Sequence, residues 1–146
     1  MDEIRPWLYI GKFRDTLSKP YLEAKSIQAM LQLAEKVEQP GITSLFLPVQ
    51  DLEPIPSDFL KQGTEFILDE KQKGYRVLVA CGAGINRSSA FCTAALIEFE
   101  GLSLMDAFKE VKKNHPESMP HQPVWESLCR YYGEIIPYLE IMRIGM

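Results

Sequence analysis

The chemistry of this chain is concentrated in VLVACGAGINRSS, residues 77–89. Cys81 is a soft nucleophile, Arg87 is a permanent planar cation six positions later, and Gly82 and Gly84 lie between them. A cysteine attacks as its thiolate, and a cation and backbone N–H donors around the sulfur favour that form. The glycines permit backbone angles that turn successive N–H groups inward, and a guanidinium fork binds two phosphate oxygens at once. These residue types describe a thiolate beneath a bound phosphate, with Gly82, Ala83, Gly84, Ile85, Asn86 and Arg87 as the cradle.

Such a loop needs a rigid element on each side. Arg76 to Ala80 is a continuous β-branched run, as expected of a strand covered on both faces. Ser88 to Glu100, with its first turn near Arg87, is apolar almost all round and reads as an interior helix. The loop therefore joins the C-terminal end of a strand to the positive end of a helix, where α/β folds bind anions. Elsewhere, Trp7 to Phe13 reads as an edge strand, and Ser44 to Val49 as a buried strand leading into a loop. Ile27 to Leu33 is taken as a strand although its Ala, Met, Leu and Gln favour a helix. Ser57 is positioned to cap a helix that carries Phe59, Phe66 and Ile67 on one face and ends at Gly74. Ser103 and Asp106 open another helix, closed by His115-Pro116. Val124 to Arg143 is helical in pattern and divided near Gly133 and Pro137. The expectation is one α/β domain over residues 1–146, with a central, mainly parallel sheet flanked by helices.

Composition narrows the function classes. A chain of 146 residues, 46% hydrophobic and 25% charged, suits one domain that buries a real core. Its net charge of −4 provides no broad basic surface, so nucleic acid and anionic lipid are not expected partners. Cys81, Cys92 and Cys129 are odd in number and widely spaced, which suggests neither a disulfide framework nor a zinc site and fits a reducing compartment. No leader pattern and no apolar run near the roughly 18 residues of a membrane span is found, so a soluble cytoplasmic protein is expected. Cys92 and Cys129 read as core, His115 and His121 as surface or loop residues, and Asp58, Glu65 and Asp69 as the wet side of a helix.

Cys-x5-Arg followed by Ser88, after an apolar strand, resembles the signature loop of the protein tyrosine phosphatase superfamily, and most closely that of the small dual-specificity phosphatases. The likeness extends to WLYIG near the N-terminus, to AKSIQAMLQLA and to the Pro120 to Leu128 region. It implies a cysteine-dependent phosphatase acting on phosphorylated protein, releasing inorganic phosphate and needing no metal or other cofactor. It also implies a general acid about 30 residues before the nucleophile, after an apolar Pro-Val step. LPVQD, residues 47–51, puts Asp51 there, with Asp58 as the fallback. Ser88 is open to two roles: helix cap, or, by the resemblance, a hydroxyl that stabilises the leaving thiolate. Two positions depart from the family pattern. Ala80 stands where a histidine is usual, which motivates the alternative of a phosphate-binding module without turnover. Asn86 replaces the usual serine, which motivates a non-protein substrate such as an RNA 5′-phosphate.

Overall fold

Val77, Leu78 and Val79 are fully buried because their strand runs through the middle of a sheet. The computed structural model describes residues 1–144. Its strands are β1 (Asp2–Arg5), β2 (Leu8–Lys12), β3 (Ile27–Gln32), β4 (Thr43–Phe46) and β5 (Arg76–Cys81). They form one five-stranded sheet in the order β1-β2-β5-β3-β4. Only β1 is antiparallel to its neighbour; β2, β5, β3 and β4 run parallel. The helices are α1 (Lys19–Ala24), α2 (Ser57–Gln72), α3 (Arg87–Glu100), α4 (Leu104–Asn114), α5 (Gln122–Tyr132) and α6 (Tyr138–Met142), with a 3-10 turn at Phe13–Leu17. This is the expected α/β architecture, a mainly parallel sheet flanked by helices. Among the described residues no helix is long and apolar enough to cross a membrane.

Strand alternation divides the core in two. On β5, Val77, Val79 and Cys81 face the larger cluster, with Phe91, Phe108 and Trp125 from the helices. Leu78 and Ala80 face the other way, toward Tyr9, Leu22, Ile27 and Met30. The helix α3 is buried from Ser88 to Leu96, which explains its apolar circumference. The α2 helix approaches it closely at Gly63, where an added Cβ would lie 2.6 Å from Cδ1 of the fully buried Phe91 and 3.3 Å from Leu31 Cδ2. Gly63→Ala therefore overpacks this crossing despite its better helix propensity. The expected cost is about 1–3 kcal/mol, read as a melting temperature lower by roughly 3–10 °C.

Several local expectations change. The strand over residues 8–12 is interior, because the charged DEIR segment forms β1 outside it. The strand near Ser44 is the opposite edge of the sheet and is only partly covered, while burial is reserved for Leu47 and Val49 beyond it. Pro56, not Ser57, is the N-cap of α2, and Ser57 is its first residue. The capping at Ser103 is as expected, its side chain accepting from the Asp106 N–H at 3.1 Å. The C-terminal helical region is divided as expected, with Gly133 ending α5 in a left-handed conformation and Pro137 preceding α6.

Candidate active site

The loop at residues 82–86 is held from outside by its carbonyl groups. Gly82 O accepts from Phe13 N at 3.2 Å, Gly84 O lies 2.7 Å from His115 Nε2, and Ile85 O accepts from Met119 N at 3.0 Å and from the Ser89 hydroxyl. Among the described residues, the backbone N–H groups of 82–86 donate to no protein acceptor. The outward carbonyls of 82, 84 and 85 turn the N–H groups of 83, 85 and 86 to the concave side, which is the geometry of an anion nest. Of the two glycines, only Gly84 takes a left-handed conformation, at φ 71°. A Cβ there would lie 2.8 Å from Gly11 O, so both backbone angle and close packing require glycine.

The sulfur of Cys81 sits at the base of this loop and is 3.1 Å from the hydroxyl of Ser88. Cys81 is 2% exposed and Ser88 fully buried. Asn86, not Ser88, occupies the cap position of α3, so the serine hydroxyl is directed to sulfur and not spent on the helix end. The other thiols are of a different kind. Burial, and secondarily the nearby Cys81, pushes the Cys92 thiol up, and burial pushes Cys129 up as well. Both are neutral packing groups.

The putting together of loop and acid depends on Arg87 and Asn86. Leu47 N and Val49 N bond to Gln32 O and Leu33 O at the end of β3, which fixes the segment leading to Asp51. Arg87 Nη1 donates to Val49 O at 2.8 Å, and its Nε is 3.7 Å from Asp51 Oδ1. Asn86 bridges two segments: its Oδ1 accepts from the His121 N–H at 2.7 Å, and its Nδ2 donates to Asp51 Oδ1 at 2.5 Å. The His121 amide can only donate, so it settles the orientation of the Asn86 side chain. Arg87 Nε and His121 Nδ1 are buried and lack a hydrogen-bond partner, and both lie just under 4 Å from Asp51 Oδ1. Asp51, Cys81, Ala83, Ile85, Asn86, Arg87 and His121 line one cleft of about 190 Å³. A hollow of about 560 Å³ between α5 and α6 is larger, but it lacks a nucleophile and an anion cradle.

Every residue expected at the site is thus brought together, while Asp58 lies exposed in the first turn of α2. His115 and His121 both lie in loops, as expected, and the part-exposed His121 lines the cleft. His115 is not at the surface: it is 3% exposed and bonded to the loop at Gly84 O. Sequence spacing could not reveal either contact, because both depend on how α4 and α5 pack behind the loop. The Asn86 side chain had a visible signal, its departure from serine, but not its bridging partners.

The family model "Dual specificity phosphatase, catalytic domain" matches residues 8–134. Human "Dual specificity protein phosphatase 5" is 30% identical over 139 residues, covering 92% of this chain and 36% of that protein. Rat "Dual specificity protein phosphatase 18" is 29% identical over 136 residues, covering 90% and 66% respectively. This chain therefore spans about a third of the length of the first of these relatives. Among solved structures, human DUSP28 superposes with a TM-score of 0.85 at 25% identity, covering 97% of this chain and 99% of that one. The human tyrosine phosphatase-like serine/threonine/tyrosine-interacting protein gives 0.82 at 28%, covering 91% and 95%.

Proposed function

This chain belongs to the dual-specificity phosphatase catalytic-domain family, and from that membership we propose that it is a cysteine-dependent phosphatase of phosphorylated proteins. The observation that carries the reading is the Cys81 sulfur at the base of a loop with outward carbonyls and inward amides, beside Arg87 and Asp51. On this reading the phosphate oxygens take the loop N–H groups and the Arg87 fork. The Cys81 thiolate attacks phosphorus in line, forming the S–P bond as the P–O bond to the leaving group breaks. Asp51, as the carboxylic acid, gives its proton to the departing oxygen; as the carboxylate it then takes a proton from the water that attacks the phosphocysteine. The S–P electron pair returns to Cys81, where the Ser88 hydroxyl donates to the re-formed thiolate, and orthophosphate leaves. Asn86 and His121 keep the acid segment over the cleft between these steps. Residues 1–146 act on this reading as one catalytic domain, in the cytoplasm, whose reducing conditions keep Cys81 a free thiol.

Phosphate release from para-nitrophenyl phosphate and from matched phosphotyrosine, phosphothreonine and phosphoserine peptides tests the proposal. Turnover of the aryl phosphate and of both peptide classes is expected. Failure to release phosphate from any of them, by a folded protein, would sink it.

A further inference from the structure

His115 caps the C-terminal end of α4, and its side chain is 4% exposed. Both ring nitrogens face oxygen: Nδ1 is 2.6 Å from Asp2 Oδ2, and Nε2 is 2.7 Å from Gly84 O. A carboxylate and a backbone carbonyl are acceptors, whereas a neutral imidazole carries a single N–H. Either neutral tautomer would press a lone pair against an oxygen, and only the imidazolium donates to both. An imidazolium there would meet two carboxylates and a helix C-terminus: Asp2 Oδ2 lies against Nδ1, Glu117 Oε1 is 3.7 Å from Nε2, and His115 is itself the C-cap residue of α4. Lys12, Arg14 and Asp15 are the other charged side chains around this corner. Asp2, His115 and Glu117 place ligand atoms within 4.8 Å of one another, but an imidazolium that donates from both ring nitrogens would have no lone pair for a metal.

The contact matters because of what lies across the peptide bond. In a trans peptide, C=O and N–H point in opposite directions, and no peptide bond among the described residues is cis. Holding the Gly84 carbonyl toward His115 therefore aims the Ile85 N–H into the cradle. Gly84, at φ 71°, has the freedom to let this peptide rotate, so its orientation must be imposed by a partner. Gly82 O and Ile85 O have backbone partners, at Phe13 and Met119; Gly84 O has the His115 side chain.

We propose that His115, as an imidazolium paired with Asp2, is a positioning residue that fixes the Gly84–Ile85 peptide with its N–H facing the bound phosphate. The proposal rests on the reading of residues 82–86 as a phosphate site, and the two are separable by experiment. Inorganic phosphate is titrated against the wild type, His115→Ala and His115→Arg, with turnover of an aryl phosphate measured in parallel. His115→Ala is expected to weaken phosphate binding about tenfold and to raise KM correspondingly, with the dependence of kcat on leaving group unchanged. His115→Arg, which donates in two directions, is expected to restore binding to within about threefold. Nitrogen-15 NMR of the wild-type ring at pH 7 is expected to show protons on both nitrogens, and it needs no variant to fold. A single protonated nitrogen, or phosphate binding by His115→Ala within twofold of the wild type, overturns the role of His115. Absence of phosphate binding by the wild type overturns the underlying site as well.

Discussion

Cys81→Ser is expected to reduce turnover by a factor on the order of 10⁴ or more while leaving the affinity for inorganic phosphate within about threefold. The asymmetry follows from the arrangement of the site. The inward amides of 83, 85 and 86 and the Arg87 fork remain, so an anion still finds its donors. On the proposed mechanism what is lost is the nucleophile, since a serine hydroxyl at the same place is neutral at pH 7 and has only the Ser88 hydroxyl beside it, which is not a base. The control is Cys129→Ser, which removes a partly buried thiol outside the cleft and should retain activity. Steady-state kinetics with an aryl phosphate and calorimetric titration with phosphate make the two measurements. Wild-type turnover by Cys81→Ser would remove the phosphocysteine route altogether.

Asp51→Asn is the second large effect, and its size should depend on the substrate. An asparagine can occupy the space beside Asn86 and His121 but has no proton to give. For phosphothreonine or phosphoserine, whose alkoxide leaving groups need protonation, kcat/KM, which reports the step that expels the leaving group, should fall about 10²–10⁴-fold. For para-nitrophenyl phosphate, whose leaving group departs as a stable anion, the fall in kcat/KM should be below about tenfold, while kcat also carries the loss of the base for phosphocysteine hydrolysis. Plotting log kcat/KM against the leaving-group pKa across a series of aryl phosphates makes this visible as a steeper slope in the variant. Equal losses of kcat/KM for all leaving groups would remove the general-acid role from Asp51. Activity that survives in Asp51→Asn but vanishes in Asp58→Asn would transfer the role to Asp58, although that side chain is exposed on α2.

The parts of this site that sequence alone revealed are those in which physics acts over short distances. The apolar, valine-containing run before Cys81, the glycines after it and the apolar helix beyond each specify their own local structure, and together they place the thiol and the cradle. Asp51 was legible for another reason, a resemblance in spacing. What stayed hidden depends on distant pairing. The segment DEIR offers only Ile4 to the core, so nothing local marks it as a strand; it is one because β2 presents an open edge to it. With β1 outside β2, a segment rich in aromatic and β-branched residues lies inside the sheet and not at its rim. His115 and His121 were likewise ordinary loop histidines until α4 and α5 were packed. The strand assignment at Ile27 to Gln32 shows the reverse case, in which helix-favouring residues are held extended by β4 and β5 on either side.

The division of β5 between two core clusters has a consequence for how the Cys81 sulfur can be reached. Cys81 and Ala80 are adjacent in the chain, yet their side chains lie on opposite sides of the sheet, Cys81 among the residues of α3 and its neighbours, Ala80 with Tyr9, Leu22 and Met30. Position 80 is therefore a back-wall control: a change there reaches the sulfur only through the backbone it shares, without touching a substrate. The sulfur can thus be adjusted from behind the sheet without altering the mouth of the cleft.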